Sequence, residues 1–419
     1  MRTESPRHTR PPIRSPRRSR FTLMAGLLVA APALLVYACG DDDGTGPRNR
    51  ERPLDPQLVA QGKEIFRFDT FGDEAYWTDT LRMNEVIESA VSPAVALSVG
   101  LKVDADALPD AVKQAIAAGQ VDLDDPATTL ALLELDAVVG VKGTVETVNG
   151  VKRLTRVGIT CALCHSTVDN SFAPGIGRRL DGWPNRDLNV GAIVALSPAV
   201  AAELKAILNS WGPGFYDPRI NFDGLNTPLV IPPAYGLRNV AKETYTAEGP
   251  VSYWNAYVAV TQMHGQGSFE DPRLGIDIDA NPDLVTSKLP ALREYQFSLE
   301  PPAPPPGSFD AAAAARGQQV FNGRARCAEC HDPRNSFTDI NADILHEPSE
   351  TGMDPAYALR TTQKRYRTTP LRGVWQHPPY FHDGSAATLA DVVAHYDAFL
   401  ELGLSAQERA DLVEYLKSL

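Results

Sequence analysis

The chain has 419 residues, a formal net charge of −12 and five cysteines. That length allows two or three domains, and the acidic balance argues against a nucleic-acid partner. Basic charge is concentrated at the start: residues 2–20 hold seven arginines and one acid, Glu4, before an apolar run from Phe21 to Ala38. This order is that of the n-region and h-region of an export signal.

The run ends Leu35-Val-Tyr-Ala38-Cys39-Gly40, which resembles a bacterial lipobox. The resemblance implies cleavage before Cys39, acylation of that residue and a place on the periplasmic face of a bacterial membrane. An ordinary cleaved signal or an uncleaved single-span anchor are the alternatives. Without residues 1–38 the balance is 33 basic against 51 acidic residues, about −18. Such a body suits export and can steer a basic electron-carrier protein to its surface. Residues 39–55 lack apolar periodicity and read as a flexible tether.

A first domain is expected over 56–300. Ala60-Gln-Gly62-Lys-Glu-Ile-Phe66 opens it, and a stretch of about 89 residues follows that has no counterpart later in the chain (about 67–157). Within it, Leu108–Ala117 and Pro126–Leu135 read as helices. Val138–Thr147 and Val151–Val157 read as strands joined by the hairpin turn Asn149-Gly150. The stretch suits a cap or channel over the following site, or a packing extension.

Then comes Cys161-Ala-Leu-Cys164-His165, and the same pattern recurs as Cys327-Ala-Glu-Cys330-His331. Cys-x-x-Cys-His is the attachment signal for c-type haem. Thiols three positions apart reach the two vinyl groups of one porphyrin, and the next residue supplies the proximal imidazole. Two motifs imply two covalently attached haem c groups, each with one iron, bonded to Cys161, Cys164, Cys327 and Cys330 with His165 and His331 as metal ligands. A four-cysteine zinc site or redox dithiols would not need a histidine after both pairs. Cys39 is the fifth cysteine, so none remains for disulfides.

Pro301–Gly307 is a polyproline spacer, and a second domain is expected over 308–419. Its first helix candidate is Asp310–Phe321. The capping box Ser405-Ala-Gln-Glu408 opens its last, with Leu412, Val413, Leu416 and Leu419 on one face. The halves repeat in order. Ala60–Phe66 matches Ala315–Phe321, Leu289–Leu299 matches Arg409–Leu419, and Ile231–Val240 parallels Arg367–Val374. Three ordered matches around each motif indicate a duplicated unit. The fold class is therefore mainly α: two cytochrome c-like domains, the first enlarged by an insertion, behind an export signal and tether.

Arg367-Thr-Thr-Pro-Leu-Arg-Gly-Val374, Pro379-Tyr-Phe-His-Asp-Gly384 and Thr388-Leu-Ala-Asp-Val-Val-Ala-His-Tyr396 resemble the bacterial di-haem cytochrome c peroxidase superfamily. That superfamily includes MauG-type enzymes and rubber-cleaving oxygenases. The resemblance is strong over 308–419 and partial over 158–300. It implies a first haem that meets peroxide or oxygen and a second that relays electrons from a small donor such as a cytochrome c or cupredoxin. It places Tyr396 as the second haem's distal ligand, with His395 as runner-up, and His382 at a propionate or a turn. It makes His264 and Met263 the candidate distal ligands of the first haem, and sets Trp254 between the two haems as an electron relay. Gln262 stands where the family carries its acidic distal base, with Glu270 and Asp271 as substitutes. Gln262 cannot accept a proton, so three activities stay open: peroxide reduction at the first haem, electron transfer alone, or oxygen-dependent oxidation of an organic or protein substrate.

Overall fold

The computed structural model describes residues 52–419; the expected signal, Cys39 and most of the tether lie outside the described residues. The principal helices are α1 (Pro56–Phe68), α2 (Asp110–Ala117), α3 (Pro126–Glu134), α4 (Ala162–His165), α5 (Val251–Tyr257), α6 (Leu289–Ser298), α7 (Ala311–Asn322), α8 (Leu389–Phe399) and α9 (Ala406–Lys417). The longest strands, β1 (Val141–Val148) and β2 (Val151–Ile159), form one hairpin, and every sheet among the described residues has two strands.

Each half is closed by its first and last helices. Asp55 accepts N–H bonds from Gln57 and Leu58 to start α1, with Pro56 at the first turn, where a missing N–H costs nothing. Asp310 caps α7 in the same way, and Ser405 and Glu408 close a reciprocal box on α9. In the first half α1 meets α6 at Gly62, where an added Cβ would lie 1.9 Å from the Ala291 carbonyl oxygen and 2.7 Å from Tyr295 Cβ. In the second half α7 meets α9 at Gly317, with the matching distances 1.9 Å to the Asp411 carbonyl oxygen and 2.9 Å to Tyr415 Cβ. One turn on, Phe66 packs edge-to-face on Tyr295 at 5.5 Å and Phe321 on Tyr415 at 5.2 Å. The repeat read in the sequence is thus a repeat in space, residue for residue at both crossings.

The insertion folds as expected at α2, α3 and the hairpin. Asn149 and Gly150 both adopt positive φ, 52° and 79°, and the strands pair in the register Val148 to Val151. It also holds helices at Met83–Ala90 and Pro93–Ser98 that periodicity did not single out. Its own core gathers Trp77, Leu81, Leu108, Leu133 and Leu154. Trp77 Nε1 donates to the Met263 carbonyl at 3.1 Å, so the insertion braces the 258–264 segment of the first half.

The spacer is not loose. Pro301 packs on Gly236, where an added Cβ would sit 2.8 Å from its ring, and the Pro302 carbonyl accepts Trp375 Nε1 at 3.0 Å. The described residues fall in one compact unit, so the two expected domains are tightly joined. A buried ion network links them. Arg360 of the second half pairs with Asp217 at 2.8 Å and with Asp223 at 2.7 Å, and the Arg360 and Asp217 side chains are 3 % and 0 % exposed. Arg219 pairs with Glu248, donates to the Arg360 carbonyl at 3.1 Å, and both guanidinium groups lie against the Tyr357 ring.

Two stability predictions follow from these contacts. Alanine is favoured over glycine within an ordinary helix by about 1 kcal/mol, yet Gly317→Ala should destabilise by about 1–3 kcal/mol through overpacking. Urea unfolding reads the sign, and a stabilised variant would refute the contact. Arg360→Met leaves Asp217 as an unpaired buried charge and should cost about 3–5 kcal/mol, read as a fall in the urea midpoint at unchanged slope.

Candidate functional site

The first motif lies on α4, a single turn whose last residue, His165, donates its backbone N–H to the Cys161 carbonyl at 3.2 Å. His165 Nδ1 donates to the Pro232 carbonyl at 3.1 Å. The second motif repeats this: the His331 backbone N–H bonds the Cys327 carbonyl at 2.9 Å and Nδ1 donates to the Phe337 carbonyl at 3.1 Å. A backbone carbonyl on Nδ1 fixes the tautomer and leaves Nε2 as the nitrogen able to bind iron. Burial keeps both imidazoles neutral, pushing His165 down to about 4 and His331 below its usual value. It also pushes Cys161 and Cys164 up to about 12 and Cys327 to about 11. These three thiols are held protonated, unlike the nucleophiles of a redox dithiol.

Around Cys164 stands a polar group drawn from several elements. The buried Tyr216 phenol, pushed well above its usual range first by burial and then by its neighbours Cys164, Tyr257, Asp217 and Tyr76, donates to Gln262 Oε1. Gln262 Nε2 in turn reaches Thr261 Oγ1 at 2.9 Å and Asn221 Oδ1 at 3.2 Å. His264, in left-handed conformation with φ 62°, stacks on Tyr76 of the insertion at 3.7 Å. Two π-helical segments, Ala75–Thr80 and Val258–Gln262, present this pair. Burial holds the His264 imidazole neutral.

A buried carboxyl lies behind Cys161. Asp73 is 0 % exposed and accepts the Ile159 N–H at 3.2 and 3.3 Å. Burial, the largest influence, raises its pKa to about 9; the Ile159 N–H opposes this, and Glu74 and Asp69 add to it. A carboxyl raised in this way keeps its proton in the fold and loses it on unfolding between about pH 4 and pH 9. Stability conferred by the proton is therefore complete at acid pH and fades as pH climbs through that window. Asp73→Asn should remove this slope, up to about 1.4 kcal/mol per pH unit, seen as a wild-type urea midpoint that falls relative to the variant from pH 5 to pH 8. Parallel pH profiles would refute a protonated Asp73.

The second motif opens on a cavity of about 700 Å³ whose lining includes Cys327, Cys330, His331, Met353 and Tyr396, a size in the range of cofactor sites. Tyr396 is raised to about 12, chiefly by burial and then by the Cys327 and Cys330 sulfurs beside it. The Cys330 sulfur also lies within 4.8 Å of ligand atoms of Asp339 and His346. That imidazole is engaged by Asp339 at 2.8 Å and Glu350 at 3.1 Å, a clamp that holds it protonated at pH 7. A zinc site built from these groups would need a neutral imidazole, and the two motifs belong to different halves. Both observations disfavour the zinc alternative.

Comparison with known proteins agrees with this geometry. Residues 314–419 match the cytochrome c family model. The methylamine utilization protein MauG of Methylorubrum extorquens is 33 % identical over 122 residues, 26 % of this chain and 35 % of that one. The cytochrome-c peroxidase IdrP1 of Denitromonas iodatirespirans is 30 % identical, over 26 % of this chain and 40 % of that one. Hydrazine synthase subunit gamma of Kuenenia stuttgartiensis is 29 % identical, over 30 % and 46 %. This chain is similar, over 26–30 % of its length, to members of the di-haem cytochrome c peroxidase and MauG superfamily. It is a cytochrome c-type haem protein that spans less than half the length of these curated relatives. A solved MauG-like protein associated with microbial copper homeostasis is 22 % identical over 46 % of this chain and 74 % of its own, with a TM-score of 0.34.

The residues of this chain fit haem c. Paired thiols, a carbonyl-locked histidine and a cavity of suitable size coincide at the second motif. Tyr396 lines that cavity, whereas His395 is turned to the Thr351 carbonyl at 2.8 Å. Met353 lines the cavity as well. His382 bonds the Tyr366 hydroxyl at 3.0 Å and stacks on its ring, so its role is to fix a turn. In the first half His264 and Gln262 stand in the polar group around Cys164, while Met263 is buried in the hydrophobic core.

Trp254 needs correction. Its ring neighbours are Tyr253 and Tyr257 of the same helix, α5. The tryptophan pair that crosses between the halves is Trp183 on Trp375, edge-to-face at 5.9 Å. Non-local packing decides this, because two cytochrome-like halves can meet through any exposed ring on their facing surfaces. Asp271 is likewise unavailable as a base: Arg273 and Tyr253 hold it ionised, down to about 2, and Glu270 sits on an exposed strand. Tyr76, Tyr216 and Asp73 were missed in the sequence, having no motif to mark them.

Proposed function

We propose that this chain is a di-haem c-type cytochrome that reduces hydrogen peroxide at the centre held by Cys161, Cys164 and His165, with electrons entering through the centre held by Cys327, Cys330 and His331. Relatives named cytochrome-c peroxidase and MauG support an oxidoreductase of this kind. The observation that carries the division of labour is the asymmetry between the two sites. The first is met by hydrogen-bonding side chains from several elements, Tyr216, Gln262 and His264. The second is met by Tyr396 beside both thiols and by the His346–Asp339 ion pair at Cys330, on a large and mainly apolar cavity.

Haem iron supplies the electron and oxygen chemistry when bound. The side chains do the rest. Tyr216 and Gln262 orient a small polar oxidant by hydrogen bonds. His264, held neutral by burial and stacked on Tyr76, has a free-base imidazole able to accept a proton, the role the family gives to a carboxylate. Tyr396, beside the Cys327 and Cys330 sulfurs, would be a ligand to the second haem's iron and as such would favour the oxidised form. Trp183 and Trp375 bring aromatic density across the boundary between the halves. Export, acylation at Cys39 and docking of a small basic electron-carrier protein complete the proposal, placing the acidic body on the periplasmic side.

The test is an anaerobic redox titration of the purified protein, followed by peroxide. Two covalent haems, with peroxide consumed once the second centre is reduced, are expected. His264→Ala should lower turnover by about 10²–10⁴-fold with haem content unchanged. Two low-spin centres that ignore peroxide when half-reduced would make the chain an electron carrier, and a stable oxygen adduct would make it an oxygen-using enzyme.

A further inference from the structure

The cavity at the second motif is lined by buried Arg and His nitrogens that lack a hydrogen-bond partner, although Glu243 lies in the electrostatic field of Arg367. Arg186 Nε and Nη1, Arg367 Nη1 and His377 Nδ1 are buried without a hydrogen-bond partner, and all three residues line this cavity. A buried donor left unpaired costs about 1–3 kcal/mol, more if charged, so three together call for an acceptor. Arg367 is aimed by its other nitrogens: Nε donates to the Thr244 carbonyl at 2.7 Å and Nη2 to the Glu243 carbonyl at 3.0 Å. The electrostatic neighbours of Arg186 are the phenols Tyr235, Tyr245 and Tyr380, not a carboxylate. A different group, Tyr396, neighbours the two thiols.

We propose that Arg186 and Arg367, with His377, form the carboxylate-binding end of this cavity and hold the propionates of the haem bonded to Cys327 and Cys330. This rests on the haem reading above and deepens it. Thioethers fix the vinyl-bearing edge of a haem, and its two propionates project from the opposite edge. A guanidinium fork matches a carboxylate in two parallel hydrogen bonds. Arg186 comes from the first half, next to Asn185, whose backbone N–H bonds the Cys164 carbonyl at 2.9 Å. Arg367 and His377 come from the second. The clamp therefore spans the boundary between the halves and joins the attachment loop of one centre to the charge of the other.

The experiment compares Arg186→Gln, Arg367→Gln and a surface control, Arg82→Gln, in the full haem-loaded chain. Covalent haem is counted by pyridine haemochrome and mass. The midpoint potential belonging to Cys327 and Cys330 is assigned in a Cys161→Ala, Cys164→Ala background and followed against pH. Both clamp variants should keep their haem. Each should show a lower midpoint, because a cation near the iron favours the reduced form. The pH above which that midpoint stops changing should rise, because the propionates bind protons more tightly without the cation. Arg186→Lys should restore part of the shift, and it replaces Arg186→Gln if that variant does not accumulate. Haem-loaded clamp variants whose midpoints and pH profiles match the control would overturn the clamp alone. A wild-type chain without covalent haem would overturn the reading beneath it.

Discussion

Two backbone-to-backbone approaches govern the architecture: α1 against α6 at Gly62 and α7 against α9 at Gly317. Any side chain at either point would push the helices apart, because protein interiors are already close-packed. The crossing brings an aromatic pair, Phe66 with Tyr295 or Phe321 with Tyr415, beneath each attachment turn. The motif histidines then find their backbone carbonyls, at Pro232 and Phe337. Each centre is thus set by contacts between segments far apart in sequence, and the same solution is used twice.

The halves differ in what surrounds that shared frame. An insertion with its own core delivers Tyr76 to His264 and Trp77 to the Met263 carbonyl. The second half has no such addition, and its motif opens on a cavity walled partly by the first half. The boundary is polar in its depth, with Arg360, Asp217, Arg219 and Glu248 paired out of contact with water. Buried pairs of this kind contribute little net stability but penalise misalignment heavily. They suit a boundary that holds the two halves in one fixed relation.

Much of this was legible in the sequence because it is local or periodic. Cys-x-x-Cys-His marks both attachment turns, Asp310 and the Ser405 box mark helix starts, and Asn149-Gly150 marks the hairpin. The duplication was visible because a glycine, an aromatic and a tyrosine recur at matching offsets. What stayed hidden depends on which surfaces face each other. Trp254 looked like a relay by position alone, yet Trp183 and Trp375 make the crossing contact. Arg186 carries no motif, and only the folded chain shows its unpaired nitrogens beside Arg367 and His377. The spacer 301–307 read as polyproline from composition, and only the fold shows that it packs on Gly236 and Trp375.

The separation of α1 from α6 and of α7 from α9 also sets an order of events in biosynthesis. Chains emerge from the N-terminal end, and segments fold as their partners appear. The first attachment turn stays open until residues 289–298 arrive, and the second until residues 406–417 do. The late-arriving helix of each half, residues 289–298 or 406–417, is therefore the one that closes its crossing.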